Sequence, residues 1–321
     1  MRLRRWVCGV GLSVAAALAQ TVISARSGLI HYTEGDVLMG SQRVEPKFGH
    51  FPQLEEGQVL RTEEGRAEVL LNPGVFLRLG EHSGIRMVST LLTAPRVELL
   101  SGSLVIESAD LDKDTSVLIR VRDAEVRFRK KGIFRLNADP PELRVFDGQA
   151  VIERGKELLE VKEGRKVGLE GELAVAKFDR RLTDALDRWS MRRAEYLSMA
   201  SVYAARSLGD AGAGWRWDGG WAFNPYFGMF TYVPSAGIYI SPYGYRFYSP
   251  ERVYALYEPP HVVNYSELGR WDASRGYPTI PQTSAGTSGT LAAGAAAPTT
   301  SSESSSAPIQ RPSGTAGGRD H

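Results

Sequence analysis

The chain has almost no cysteine. Cys8 is the single one among 321 residues. Beyond it there is no thiol, which excludes a disulfide, a thiolate metal site and a cysteine nucleophile. Histidine is scarce too: His31, His50, His82, His261 and His321 are the whole set. No two stand as H-x-H or H-x-x-x-H, spacings that bring two ligands to one metal on a strand or helix. None lies in a G-x-S-x-G or comparable context, so no base is set beside a nucleophile. Charge of one sign is also missing, with 39 Lys and Arg against 37 Asp and Glu. No apolar run reaches the roughly 20 residues that span a bilayer.

What is present begins with a basic start, "MRLRR", followed by the 14-residue apolar stretch "WVCGVGLSVAAALA", which ends in Ala17-Leu18-Ala19. This order predicts a secretory signal peptide over residues 1–19, cleaved after Ala19, and hence a periplasmic or extracellular protein. Around Cys8, "RWVC" lacks the Leu and small residues that precede a lipid-anchored cysteine. Cleavage removes three arginines and leaves 36 basic against 37 acidic side chains. That balance gives no electrostatic case for nucleic acid. The mature chain is expected to carry no transmembrane helix.

Residues 28–175 read as short alternating strands. "RAEVLL" and "VFLRL" flank the turn signal Asn72-Pro73-Gly74, and "RVELL" and "SLVIES" flank Ser101-Gly102. "SVLIRVR", "AEVRFR", "IFRL", "LRVF" and "QAVIER" follow, apolar residues alternating with charged ones as in half-buried strands. Glycines recur between short strands at Gly35, Gly57, Gly74, Gly102, Gly132, Gly148 and Gly164, and are expected to mark turns. Units this short bury an apolar face only by stacking. The expectation is a mostly β fold, a twisted β-roll or β-solenoid.

Residues 177–208 change period. Leu182, Leu186, Trp189, Tyr196, Ala200 and Tyr203 recur at helical spacing, which predicts a long amphipathic helix with Asp179 or Thr183 as its cap and Gly209 at its end. Residues 209–270 form an aromatic, Gly- and Pro-rich segment, and half of the chain's aromatic residues fall between Trp215 and Tyr257. "FTYV" and "GIYIS" suit a hairpin turned by Pro234–Gly237. After Tyr277 no aromatic remains, and residues 279–321 are Ser, Thr, Ala, Gly and Pro, a composition expected to be disordered.

"HYTEGDV", "LEEGQVLRTEEGRAEVLLNPGVFLRL", "VELLSGSLVIES" and "LRVFDGQAVIERGKELLEVKEGRKVGL" resemble the FecR domain of periplasmic regulators, over roughly residues 28–172. The resemblance implies an extracytoplasmic all-β fold of twisted, solenoid-like form, and no enzyme. The iron-uptake regulators of that family carry a cytoplasmic sigma-factor-binding segment and a membrane helix ahead of the domain, whereas this chain opens on its leader. "FDRRLTDALDRWSMRRAEYL" and the aromatic run resemble instead secreted FecR-domain proteins.

Four patterns carry candidate chemistry. Asp110, Asp112 and Asp114 begin like a calcium loop, but Thr115 replaces the turn Gly and Val121 the bidentate Glu, so no metal is expected. Paired acids such as Glu55-Glu56 flank Gly turns, where exposed charge is ordinary. Arg120, Arg122, Arg127 and Arg129 alternate with apolar residues; they form either a stripe that contacts an anionic polymer or a solvated sheet face. Trp215, Trp217, Trp221, Tyr226, Phe227, Phe230, Tyr232, Tyr243 and Tyr245 form either a binding platform or a cover over the fold. Taken together, these features predict an exported, non-enzymatic envelope protein without cofactor: a scaffold, sensor or protein-binding module whose partner is an envelope protein. The alternative is a polysaccharide or peptidoglycan binder using the aromatic segment and the basic strand face.

Overall fold

The structure is a computed structural model and describes residues 26–45, 51–109, 114–212 and 217–256. The predicted leader, Trp215 and the residue 279–321 tail lie outside the described residues, as do Asp110 and Asp112.

The strands in chain order are β1 (Leu29–Met39), β2 (Gln42–Arg43), β3 (Val59–Asn72), β4 (Val75–Leu79), β5 (Gly84–Ser89), β6 (Arg96–Ser101), β7 (Ser103–Ser108), β8 (Leu118–Val121), β9 (Ala124–Ala138), β10 (Pro141–Arg154), β11 (Glu157–Lys162), β12 (Arg165–Gly168) and β13 (Val175–Lys177). Hydrogen bonds run from β3 through β4, β7, β9, β8, β6 and β5 back to β3, a closed circuit of seven strands. The fold is therefore mostly β, as the alternation predicts, but it is a barrel, and the expected solenoid is corrected. A solenoid stacks consecutive units. Here β6 pairs with β8 in parallel and β9 pairs with both β7 and β8, so distant segments close on each other. Closure removes the unpaired edges that a stack leaves exposed.

Two long strands make the closure possible. The C-terminal half of β3 pairs with β4 and its N-terminal end with β5. In the same way β9 gives residues 132–137 to β7 and residues 124–127 to β8. Each long strand thus serves two walls and must bend between them. The bend in β3 falls at Gly65, opposite Gly35 of β1, and that in β9 at Gly132, opposite the irregular register around Gly148 of β10. A Cβ on Gly35 would lie 2.1 Å from the Glu64 carbonyl oxygen, and one on Gly132 would lie 2.1 Å from that of Asp147. Only glycine lets the backbones approach this closely. Gly57, Gly74, Gly102 and Gly164 do lie between strands. Gly35, Gly132 and Gly148 sit inside strands, so their expected role as turns is corrected to one as bends.

The interior is filled from both walls, by Leu60, Val69, Leu77, Ile106, Phe134 and Leu136 on one side and Ile85, Val97, Ile119 and Val126 on the other. Fully burying such a side chain contributes about 1.5–3 kcal/mol. β4 is buried at every position, because its outer face is covered as well. The cover is α1 (Ala185–Asp210), the hairpin of β14 (Gly220–Asn224) and β15 (Met229–Val233), and the hairpin of β16 (Ile238–Ile240) and β17 (Arg246–Tyr248), before a short 3-10 turn at Val253–Leu256. "FTYV" and "GIYIS" therefore belong to two hairpins, not to one. The Asn224 side-chain oxygen accepts from the Tyr226 and Phe227 amides and so turns the chain earlier than expected.

α1 is shorter than the expected 177–208 span at its start and runs two residues further at its end. Asp184 is the N-cap: its Oδ1 accepts from the Asp187 amide at 3.0 Å, while Asp187 Oδ2 accepts from the Asp184 amide at 3.1 Å. The pair is a reciprocal capping box. Asp179 instead closes a local turn by accepting from the Arg181 amide. The buried face is Leu186, Trp189, Ser190, Arg193, Ala194, Leu197, Ser198, Ala200, Ser201, Ala204 and Ala205. Leu182, Tyr196 and Tyr203, expected on that stripe, are exposed. The inner face includes an arginine because the barrel wall beneath it carries charge.

Candidate functional site

Alternation along β3, β4 and β7 sends Val69, Leu77 and Ile106 inward, and sends Glu68, Arg78 and Glu107 outward under α1. Glu68 and Arg78 are directly opposed in the β3–β4 register. Arg78 Nε donates to Glu68 Oε2 at 2.9 Å, and its Nη1 lies 2.7 Å from Glu107 Oε2. From the other side, Arg193 of α1 donates to Glu68 Oε1 at 2.8 Å, and His31 Nδ1 of β1 meets the same oxygen at 2.9 Å. The Arg193 guanidinium carbon lies over the Tyr32 ring, 3.9 Å from its centre, where cation–π attraction adds to the pairing. At the start of the helix, Arg135 of β9 binds both cap residues, Asp184 and Asp187. His31, Glu68, Arg78, Glu107 and Arg193 thus form one buried chain between barrel and helix.

Burial and charge act against each other along this chain. Burial alone would raise the Glu68 carboxyl, but Arg193 and Arg78 pull it well below its usual range. Burial pushes the Glu107 carboxyl up and outweighs the pull of Arg78. Burial also pushes His31 down, against the attraction of Glu68. Tyr243, in the β16–β17 loop, is pushed up by burial, against the opposing pull of Arg78. At neutral pH the chain therefore holds an ionised Glu68 between two arginines and an uncharged His31. A network of this kind fixes how helix and barrel dock more than it adds net stability.

The aromatic segment divides into an inner and an outer set. Trp221 packs edge-on against Phe76 at 5.1 Å, and Phe230 is tilted against Phe51 at 5.3 Å. Tyr232 contacts Trp221, Tyr239 and Phe247. Trp217 is half-buried and its indole N–H donates to the Val233 carbonyl at 3.0 Å. Tyr243 and Tyr245 lie half-buried in the same cover. The hairpin is tied to the helix by Asn224 Nδ2 and Thr231 Oγ1, which donate to the carbonyls of Ala200 and Leu197. Tyr226 stands apart at 84% exposed. Its ring and that of Phe227 lie 6.2 and 5.7 Å from Tyr203 of α1. Met199 and Tyr196 stand one and two turns of the helix away, and with Tyr203 and Tyr226 they form an exposed strip of rings and a thioether, backed by the half-buried Phe227.

The β8–β9 hairpin divides the arginines between two strands, with Arg122 in its turn at φ 57°, while Arg120, Arg127 and Arg129 share the face opposite the buried Ile119, Val126 and Phe128. Arg120 donates to Glu125, directly opposite, at 2.9 Å. Arg127 pairs with Glu125 and Glu153, and Arg129 is exposed. Among the described residues no cluster of three or more His, Cys, Asp or Glu is placed to hold a metal. The buried charge chain escaped the sequence reading. Its signal was a lone arginine inside the apolar strand "VFLRL" and another at a core spacing of the helix, Arg193.

No family model matches the sequence, so the FecR likeness stands on the quoted motifs alone. No curated protein matches it either. Two crystal structures, both described as "a putative anti-sigma factor from Parabacteroides distasonis", are similar over part of the chain. One aligns with a TM-score of 0.34 at 17% identity over 38% of this chain. The other aligns with a TM-score of 0.33 at 16% identity over the same share. The chain spans 61% and 59% of the length of those two structures.

Proposed function

We propose that this chain is an exported, non-enzymatic protein of the cell envelope that works as a scaffold, sensor or protein-binding module. Export is supported by the basic start, short apolar run and Ala17-Leu18-Ala19 end. No helix among the described residues is long and apolar enough to cross a membrane. The observation that carries the binding role is the exposed strip Tyr196, Met199, Tyr203 and Tyr226, backed by the half-buried Phe227. Rigid aromatic rings give large contact area at little entropic cost and recur at the centres of protein interfaces. The strip sits on a helix fixed from beneath by Arg193–Glu68 and Arg135–Asp187, so its geometry is set before a partner arrives.

The polymer-binding alternative finds less support. Trp221 and Phe230 face inward, and Arg120 and Arg127 are met by acids of their own sheet. Capture from envelope extracts by the full chain, against the Tyr203→Asp, Tyr226→Asp double variant, separates the readings. A protein retained by the wild type and lost with the variant supports the module. Retention on isolated wall material, unchanged in the variant, overturns it.

A further inference from the structure

A cleft lies where the first turns of α1, the segment ahead of it and the Ser241–Tyr245 loop meet the bend of β9 and β10. Its volume is about 350 Å³, within the range of small-molecule sites. One part of its lining is apolar: Ile133, Phe146, Met191, Pro242 and the Tyr243 ring. Phe146 is held edge-on by Phe178 at 5.0 Å. Two guanidiniums, Arg180 and Arg188, complete the wall.

Each of these arginines is tethered to the backbone beside the cleft. Arg180 Nη1 donates to the Phe146 carbonyl at 3.0 Å, and Arg188 Nη1 donates to the Thr183 carbonyl at 2.9 Å. A guanidinium has five N–H donors in a planar fork, so each tether fixes the group while leaving donors free. Two carboxylates also line the cleft. Asp187 is already engaged by Arg135 and by the helix cap. The Asp147 carboxyl is pushed up by burial and by the neighbouring Glu163. Glu163 lies 3.6 Å from Arg180 in an exposed pair that a ligand can displace.

We propose that this cleft binds a small amphipathic carboxylate, its head on Arg180 and Arg188 and its apolar body against Phe146, Ile133 and Met191. A neutral amphiphile would cover the guanidiniums without pairing them, and an ammonium head placed there would set like charges side by side. The site is separate from the Tyr203–Tyr226 strip and stands whether or not that strip binds a protein.

Titration calorimetry of the full chain with phenylbutyrate, phenylbutanol and phenylbutylamine tests the assignment, because the three share one apolar body. Phenylbutyrate is expected to bind saturably, one per chain, and the other two at least about tenfold more weakly. Arg188→Gln is expected to weaken phenylbutyrate by about tenfold, and Met191→Asp to abolish its binding. Both side chains are exposed, so circular dichroism and Tm should stay at wild-type values. If Arg188→Gln does not fold, Arg180→Gln gives the same reading. The absence of saturable heat, equal affinity for the alcohol, or unchanged affinity in the folded arginine variant overturns the proposal.

Discussion

Arg193 of α1 donates to Glu68 of β3 at 2.8 Å across 125 residues of sequence, with both side chains buried. The bond joins the helix to a barrel wall that is otherwise complete without it. The same carboxylate also holds Arg78 and His31, so one side chain gathers groups from β1, β4 and α1 at a single buried point.

Glu68→Ala should therefore be among the most damaging changes in the chain. It leaves Arg78 and Arg193 buried without their shared partner, at a cost of about 3–5 kcal/mol. Urea unfolding measures it. Replacing Glu68, Arg78, Glu107 and Arg193 together with apolar residues of similar volume is expected to cost less than this single change. A harmless Glu68→Ala would mean that the network adds nothing to docking.

Acid should weaken the protein in two stages. His31 is held below its ordinary value of 6.5 by burial, with Arg193 and Arg78 acting the same way against Glu68. As pH falls below 6.5 the unfolded chain takes up a proton that the folded chain refuses, so stability declines. Glu68, held below 4.5, and Asp184, pulled down to about 2, add a second decline beneath their ordinary values. Glu107 has the opposite sign: it protonates first in the folded state and offsets part of the loss above 4.5. Tm measured between about pH 8 and pH 4 should fall accordingly. His31→Gln should flatten the upper stage and Glu107→Gln should steepen it.

The inner and outer rings should respond differently to truncation. Trp221, 4% exposed against Phe76, is expected to cost about 3–5 kcal/mol as Trp221→Ala. Tyr226→Ala should stay within about 0.5 kcal/mol. Denaturant midpoints check both, and equal effects would remove the distinction between cover and exposed strip.

The strand bends offer a backbone test. Gly132→Ala puts a methyl against the Asp147 carbonyl and should cost more than about 1 kcal/mol. Gly168→Ala, where a Cβ meets nothing within 4 Å, should be neutral or slightly stabilising. Similar midpoints for the two would show that the bend does not depend on glycine.

Much of this was legible along the chain. Alternation in "RAEVLL", "VFLRL" and "SLVIES" marks β3, β4 and β7 because a strand's two faces differ in their surroundings. Trp189 and Leu186 show helical spacing for the same reason. A two-residue turn at Arg122-Asp123 folds the arginine run into a hairpin, which alternation alone does not show, yet Arg120 and Arg127 keep the common outer face that alternation predicts. The helix face was misread because Tyr196 and Tyr203 look like core by type, while Arg193 does not.

Local periodicity settled that the first part of the chain is β and that one helix follows, since both depend on neighbours a few residues apart. Closure into a barrel, the pairing of Glu68 with Arg193 and the inward turn of Trp221 depend on contacts between segments tens to more than a hundred residues apart. Pattern along the chain carries no record of which distant segments meet. Packing alone decides whether a glycine turns a strand or bends it, and whether an arginine faces water or a buried carboxylate.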